Sequence, residues 1–88
     1  MTIQLKKFGT TLVSREDGRE SWAAAQPLLR DVADTDEVRV DFEGVNTFSP
    51  SWGDEFLTPL FKKFKIKPAL LNTENASVKA TLDILGLD

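Results

Sequence analysis

Apolar residues in this chain follow two rhythms. Ile3 and Leu5 alternate with Gln4 and Lys6 as far as Lys7, a period of two that predicts a first strand, and Leu12-Val13 offers a short second one after the Phe8-Gly9-Thr10-Thr11 turn. Ser14-Arg15-Glu16-Asp17 then carries the marks of a helix start. The Ser14 hydroxyl accepts from the amide three residues on, Asp17 reaches back, and the acids suit the positive end of the helix dipole. Spacings of three and four predict burial of Trp22, Ala25, Leu29 and Val32, or of Leu28 and Ala33 on a neighbouring face. Pro27 interrupts that run by removing a donor and crowding the preceding turn, so a kink or break is expected there, and Asp34-Thr35-Asp36 closes the segment.

Glu37 to Phe42 alternates again, with Val38, Val40 and Phe42 on one face. Gly44 is placed for a turn at positive φ. A second helix starts near Ser49-Pro50, with Ser49 as N-cap and Pro50 at the first helical position, or with Ser51 as cap and Asp54 as its reciprocal partner. Trp52, Phe56, Leu60 and Phe64 recur every four residues, widened by Leu57 and Phe61, and Pro59 marks a second possible bend. Pro68 to Asn72 reads as a buried strand. Asn75 caps a last helix with Val78, Leu82 and Leu85 on one face, and Gly86 stops it. The order β-β-α-β-α-β-α is that of helices packed on a sheet.

Composition narrows the chemistry. A chain of 88 residues holds one core, and 41% hydrophobic with 28% charged residues is ordinary for a globular domain. With no cysteine and no histidine, this chain by itself supplies no thiol chemistry, no zinc site and no Ser-His-Asp catalysis. A net charge of −3 disfavours nucleic acid as the main ligand. The apolar runs are too short to span a bilayer and the N-terminus lacks a signal-peptide core, so a cytoplasmic protein that uses no membrane is the expectation. The acidic pairs Glu16/Asp17, Asp34/Asp36 and Asp54/Glu55 sit on adjacent or near-adjacent positions. Adjacent acids on a helix face different sides, which does not suit paired-carboxylate catalysis. No enzyme, cofactor or metal is expected. Lys62, Lys63, Lys65 and Lys67 form a basic cluster, read as a solvated helix end that complements the C-terminal dipole.

The segment from Val40 to Glu55 concentrates the functional interest. A strand ends in Asp41-Phe42, Gly44 turns the chain, and a helix N-terminus follows with Ser49, Ser51, Asp54 and Glu55. Free amides there suit an anion, and a phosphoserine would be partly offset by the dipole, although Asp54 and Glu55 would repel it. Plain capping explains the serines equally well on spacing alone.

Asp41-Phe42-Glu43-Gly44-Val45, followed by Phe48-Ser49-Pro50-Ser51-Trp52-Gly53-Asp54-Glu55, resembles the STAS-like domain family of unknown function. That family's stretch reads Asp-Phe-x-Gly-Val, then Ser-Pro-Ser, an aromatic, a small residue and Asp-Glu. Phe8-Gly9 and Ser14-Arg15-Glu16 also resemble its N-terminal pattern. Trp52 and Gly53 stand where Phe and Ala are more usual, and Pro27 falls in a helix that is usually uninterrupted. The resemblance implies a single α/β domain over residues 1–88: a STAS-like small mixed sheet of about four strands with helices packed on it. More distantly, that family is similar to the anti-anti-sigma factors of bacterial partner-switching systems, where a GHKL-type kinase phosphorylates a Ser at a helix N-terminus. Laying Asp41 and Val45 on that pattern brings Ser51 to the phosphoacceptor position, with Ser49 replacing the acidic residue usual before the helix and Pro50 between.

The function implied is a non-enzymatic regulatory module that docks a protein partner through the Ser49–Glu55 turn. On resemblance that partner is a histidine-kinase-like ATPase or an anti-sigma-like protein. Asp54 and Glu55 are expected to supply charge recognition and Phe48 and Trp52 apolar contact, with Ser49 and Ser51 on the same partner-binding surface and Ser51 as the candidate phosphoacceptor. The alternatives are a constitutive interaction subunit, antitoxin-like or phage-encoded, and a nucleotide-binding module, for which no Gly-rich phosphate loop is present.

Overall fold

The computed structural model describes all residues from Met1 to Asp88. Five short strands and three α-helices alternate along it: β1 (Thr2–Gln4), β2 (Thr11–Leu12), α1 (Arg15–Leu29), β3 (Arg39–Asp41), β4 (Thr47–Phe48), α2 (Pro50–Lys63), β5 (Ala69–Leu71) and α3 (Ala76–Leu85). A 3-10 turn, Leu5–Phe8, links β1 to β2. The strands form two sheets, β1-β3-β5 and β2-β4. Every pairing is parallel, with Ile3 opposite Val40, Val40 opposite Leu70, and Leu12 opposite Phe48. The expectation of one mixed sheet of about four strands is thereby corrected. Helical crossovers separate β1 from β3 and β3 from β5, and such connections return the chain in the same direction.

The helix starts follow local chemistry. Ser14 accepts from the Asp17 amide at 3.0 Å, while no reciprocal bond from Asp17 forms. Ser49 and Asn75 cap α2 and α3, Pro50 opens α2, and Gly86 ends α3 in the left-handed region at φ 70°. These choices satisfy amides and carbonyls that the helices leave free. Neither interior proline stops its helix at once: α1 continues through Pro27 to Leu29 and α2 through Pro59 to Lys63.

One core joins the layers. Ile3, Val38, Val40 and Phe42 meet Ala25 and Leu29 of α1, Trp52, Phe56, Leu57 and Leu60 of α2, and Val78 and Leu82 of α3. Trp22 and Val32 are partly buried, and Leu28 is 54% exposed, which settles the face of α1 in favour of Trp22, Ala25 and Leu29. Aromatic rings run through this core. Trp52 stacks on Phe56 at 5.0 Å between centroids, and Phe48 meets both Phe42 and Trp52 edge-on at 5.2 and 5.8 Å. Such pairs contribute roughly 0.5–1.5 kcal/mol each beyond their buried area.

Two further elements differ from the period-two reading. The first strand ends at Gln4, because the chain must leave the larger sheet to reach β2; Leu5 nevertheless remains fully buried inside the 3-10 turn. The β5 strand is half-buried at all three positions rather than buried, since it is the terminal strand of its sheet.

Candidate functional site

The first turn of α2 is held from three directions. From β2, the Leu12 carbonyl accepts from the Ser49 amide at 2.9 Å, and the Ser49 hydroxyl donates to the Val13 carbonyl while accepting from the Trp52 amide at 3.3 Å. From α3, the Ser77 hydroxyl accepts from the Phe48 amide at 3.1 Å, and Thr81 donates to the Phe48 carbonyl at 2.6 Å. Two side chains one helical turn apart thus satisfy both main-chain groups of the residue preceding the cap. From α1, Gly18 lies so close that a Cβ there would sit 2.7 Å from the Trp52 carbonyl oxygen. Gly53 faces the other way, with Leu85 and Phe48 within 3.0 Å of where its Cβ would be.

Charges bridge the same helices on the surface. Arg15 Nη1 donates to Asp54 Oδ2 at 3.0 Å and to Glu55 Oε1 at 3.1 Å, and Arg19 Nη2 approaches Glu55 at 3.5 Å. Thr58 donates to the second Asp54 oxygen at 2.9 Å. Arg15 first, then Thr58, hold the Asp54 carboxyl below its ordinary pKa. The arginines are exposed and the two carboxylates part-exposed, and pairs in contact with solvent contribute about 0–1 kcal/mol each. They position more than they stabilise.

The structure therefore divides the residues expected to meet a partner. Ser49, Ser51, Asp54 and Glu55 reach the surface in part, whereas Phe48 and Trp52 are 2% and 0% exposed. The expected apolar contact from Phe48 and Trp52 is corrected: their rings complete the aromatic core and set the surface from beneath. Asp54 does not cap through Ser51, because its oxygens are taken by Arg15 and Thr58. Ser51 itself makes no hydrogen bond through its hydroxyl, while Ser49 is engaged as both donor and acceptor.

A second polar arrangement lies where β3 and β5 end. Asp41 accepts from Asn72 Nδ2 at 2.8 Å and from the Glu43 amide at 2.9 Å. The Asn72 bond first and the Glu43 amide second lower the Asp41 pKa. Asn72 is the one non-glycine residue at positive φ, 57°, and Gly44 takes φ 84° in the turn after β3. Asn tolerates this region because its short amide bonds locally. Asp41 thereby ties the β3 turn to the β5 exit, upstream of the α2 cap.

A family model described as a STAS-like domain of unknown function matches residues 24–84, from within α1 to near the end of α3. The chain belongs to this STAS-like family. The match includes the whole Asp41–Glu55 stretch and leaves out β1, β2 and the start of α1, where Arg15, Gly18 and Arg19 lie. Neither a curated protein nor a solved structure matches the chain. No helix of this STAS-like domain is long and apolar enough to cross a membrane.

Sequence reasoning missed Gly18, Ser77, Thr81 and Asn72. Ser77 and Thr81 stand one turn apart beside the apolar Val78 and Leu82, a spacing that signals a polar strip within a buried face. For Gly18 the signal is a glycine inside a helix with no turn to justify it.

Proposed function

We propose that this STAS-like domain is a non-enzymatic regulatory module that docks a protein partner through the surface around the first turn of α2. Ser51 is its switch residue. The observation that carries this reading is the contrast between the two serines of that turn. Ser49 is consumed by the fold, and Ser51 is part-exposed with an uncommitted hydroxyl. Asp54 and Glu55 follow Ser51 by three and four residues, so they share its side of the helix.

The ion pairs give modification a mechanical consequence. A phosphoserine at position 51 adds a charge of about −1.5 to −2 beside two carboxylates. Their repulsion is moderated by Arg15 and Arg19, which the phosphate competes for against Asp54 and Glu55. Phosphorylation then changes both the charge of the surface and the grip between α1 and α2. A histidine-kinase-like ATPase or an anti-sigma-like protein is the partner class implied by the distant likeness to anti-anti-sigma factors.

The test is incubation of the chain with the histidine-kinase-like ATPases of its own host and ATP, read by intact mass. Addition of one phosphate that Ser51→Ala abolishes supports the switch. Unmodified protein, or modification retained in Ser51→Ala, refutes it. Affinity capture with wild type, Ser51→Glu and Asp54→Lys baits separates docking from switching. A partner lost with Asp54→Lys but indifferent to Ser51→Glu identifies a constitutive interaction subunit.

A further inference from the structure

β5 ends its sheet with one long side open. The Ala69 amide and the Leu71 carbonyl bond toward β3, to Val38 and Phe42 respectively. By the alternation of a strand, the Leu70 amide and carbonyl point away, toward the unpaired edge. Beside that edge lies a cleft of about 460 Å³ floored by Pro68, Leu70, Leu82 and Leu87 and rimmed by Lys67 and Asp88. It shares no residue with the α2 N-terminal surface.

The residues leading into β5 carry a cluster of four lysines. Lys62, Lys63, Lys65 and Lys67 are exposed, and of these only Lys65 has a carboxylate within reach, Asp34 at 3.9 Å. Without them the chain has seven cations against fourteen anions. Four of the eleven cations thus stand together just before an open strand, with Lys67 on the rim of the apolar cleft alongside.

We propose that the β5 edge and its cleft bind an extended acidic segment of a partner protein, which adds as a strand to β5. Main-chain bonds to Leu70 hold the segment, an apolar side chain enters the cleft, and acidic side chains meet Lys63 and Lys67. A second copy of this chain paired in parallel would bring two lysine clusters together, which an acidic segment does not. Nucleic acid fits less well, since Phe64, the one aromatic residue within the lysine cluster, is 5% exposed and cannot stack on bases.

The experiment titrates the isotope-labelled full chain with three probes: an acetylated heptapeptide of alternating Glu and Val, its Lys-Val counterpart, and a twelve-nucleotide oligothymidine. The expected result is amide shifts at Ala69–Asn72, Leu82 and Leu87, with slowed exchange of the Leu70 amide, for the Glu-Val peptide alone. The double variant Lys63→Glu/Lys67→Glu, which breaks no ion pair, weakens that binding about tenfold or more. N-methylation of the peptide's central valine abolishes it and leaves the protein unaltered. Absence of shifts at millimolar peptide, preference for oligothymidine, shifts confined to the α2 start, or indifference to N-methylation overturns the proposal.

Discussion

Replacing Gly18 by Ala separates two opposing effects of known sign. Gly18 lies inside α1, where alanine favours the helix by about 1 kcal/mol. Propensity alone therefore makes the variant more stable. The fold opposes this, because the new Cβ would stand 2.7 Å from the Trp52 carbonyl oxygen, 3.0 Å from the Trp52 Cα and 3.2 Å from the Glu55 Cβ. Two of those atoms are main chain and cannot rotate aside, so α1 must withdraw from α2. Withdrawal loosens Trp22 against Phe56, an edge contact at 5.7 Å, and stretches the Arg15 pairs to Asp54 and Glu55. Overpacking costs about 1–3 kcal/mol and more where backbone is struck. Taking the upper end and subtracting the helical gain leaves a net loss of about 2 kcal/mol. For a domain of this length that lowers Tm by roughly 8–16 °C, read by circular dichroism during heating. Ala24→Gly, at an exposed site of the same helix, reports the propensity contribution alone. A Gly18→Ala protein that melts at or above the wild-type temperature would refute the close-approach argument.

Gly53→Ala should behave differently. Its nearest obstacles, the Leu85 Cδ1 at 2.8 Å and the Phe48 Cζ at 3.0 Å, are side-chain ends, and Leu85 is only partly buried. Urea denaturation is expected to place it within about 1 kcal/mol of wild type, as helical gain offsets a rotamer change. Thr81→Val keeps the shape but leaves the Phe48 carbonyl without its 2.6 Å donor; a loss of about 1–3 kcal/mol is expected, and unchanged stability would refute the anchoring of β4 by α3. Asn72→Gly relieves the positive φ and removes the main bond to Asp41. The Asp41 carboxyl, held low in the fold, contributes stability present above the unfolded value of about 4 and lost as pH falls through the folded value. In Asn72→Gly that folded value rises toward the unfolded one, so the Asp41 contribution shrinks and its loss on acidification is complete at a higher pH; an Asp41 carboxyl resonance that titrates as in wild type would contradict this.

Local chemistry made much of this legible from the sequence. Ser14, Ser49 and Asn75 announce three helix starts because a short oxygen-bearing side chain before an apolar run serves the free amides there, whatever lies elsewhere in the chain. The stripe Trp52, Phe56 and Leu60 was likewise readable, since helical geometry alone puts those residues on one side, while Phe64 is buried from the extended residue that ends the helix. The family stretch located the candidate surface at Ser49–Glu55 in the same local terms.

What depends on partners distant in the chain was not legible. β4 has two residues and no periodicity to display; it exists because β2 pairs with it and because Ser77 and Thr81 bind Phe48 from 29 and 33 residues away. The half-burial of β5 follows from its place at the end of a sheet, which residues 69–71 do not encode. The same holds for exposure at the candidate site. Trp52 at the mouth of a helix looks available, but Phe8 from the 3-10 turn and Phe48 from β4 join Phe56 of its own helix and enclose it. Composition and spacing determined which residues stand at the start of α2; only the packing of α1 and α3 around it decided that Ser51, and not the aromatic rings, stays part-exposed.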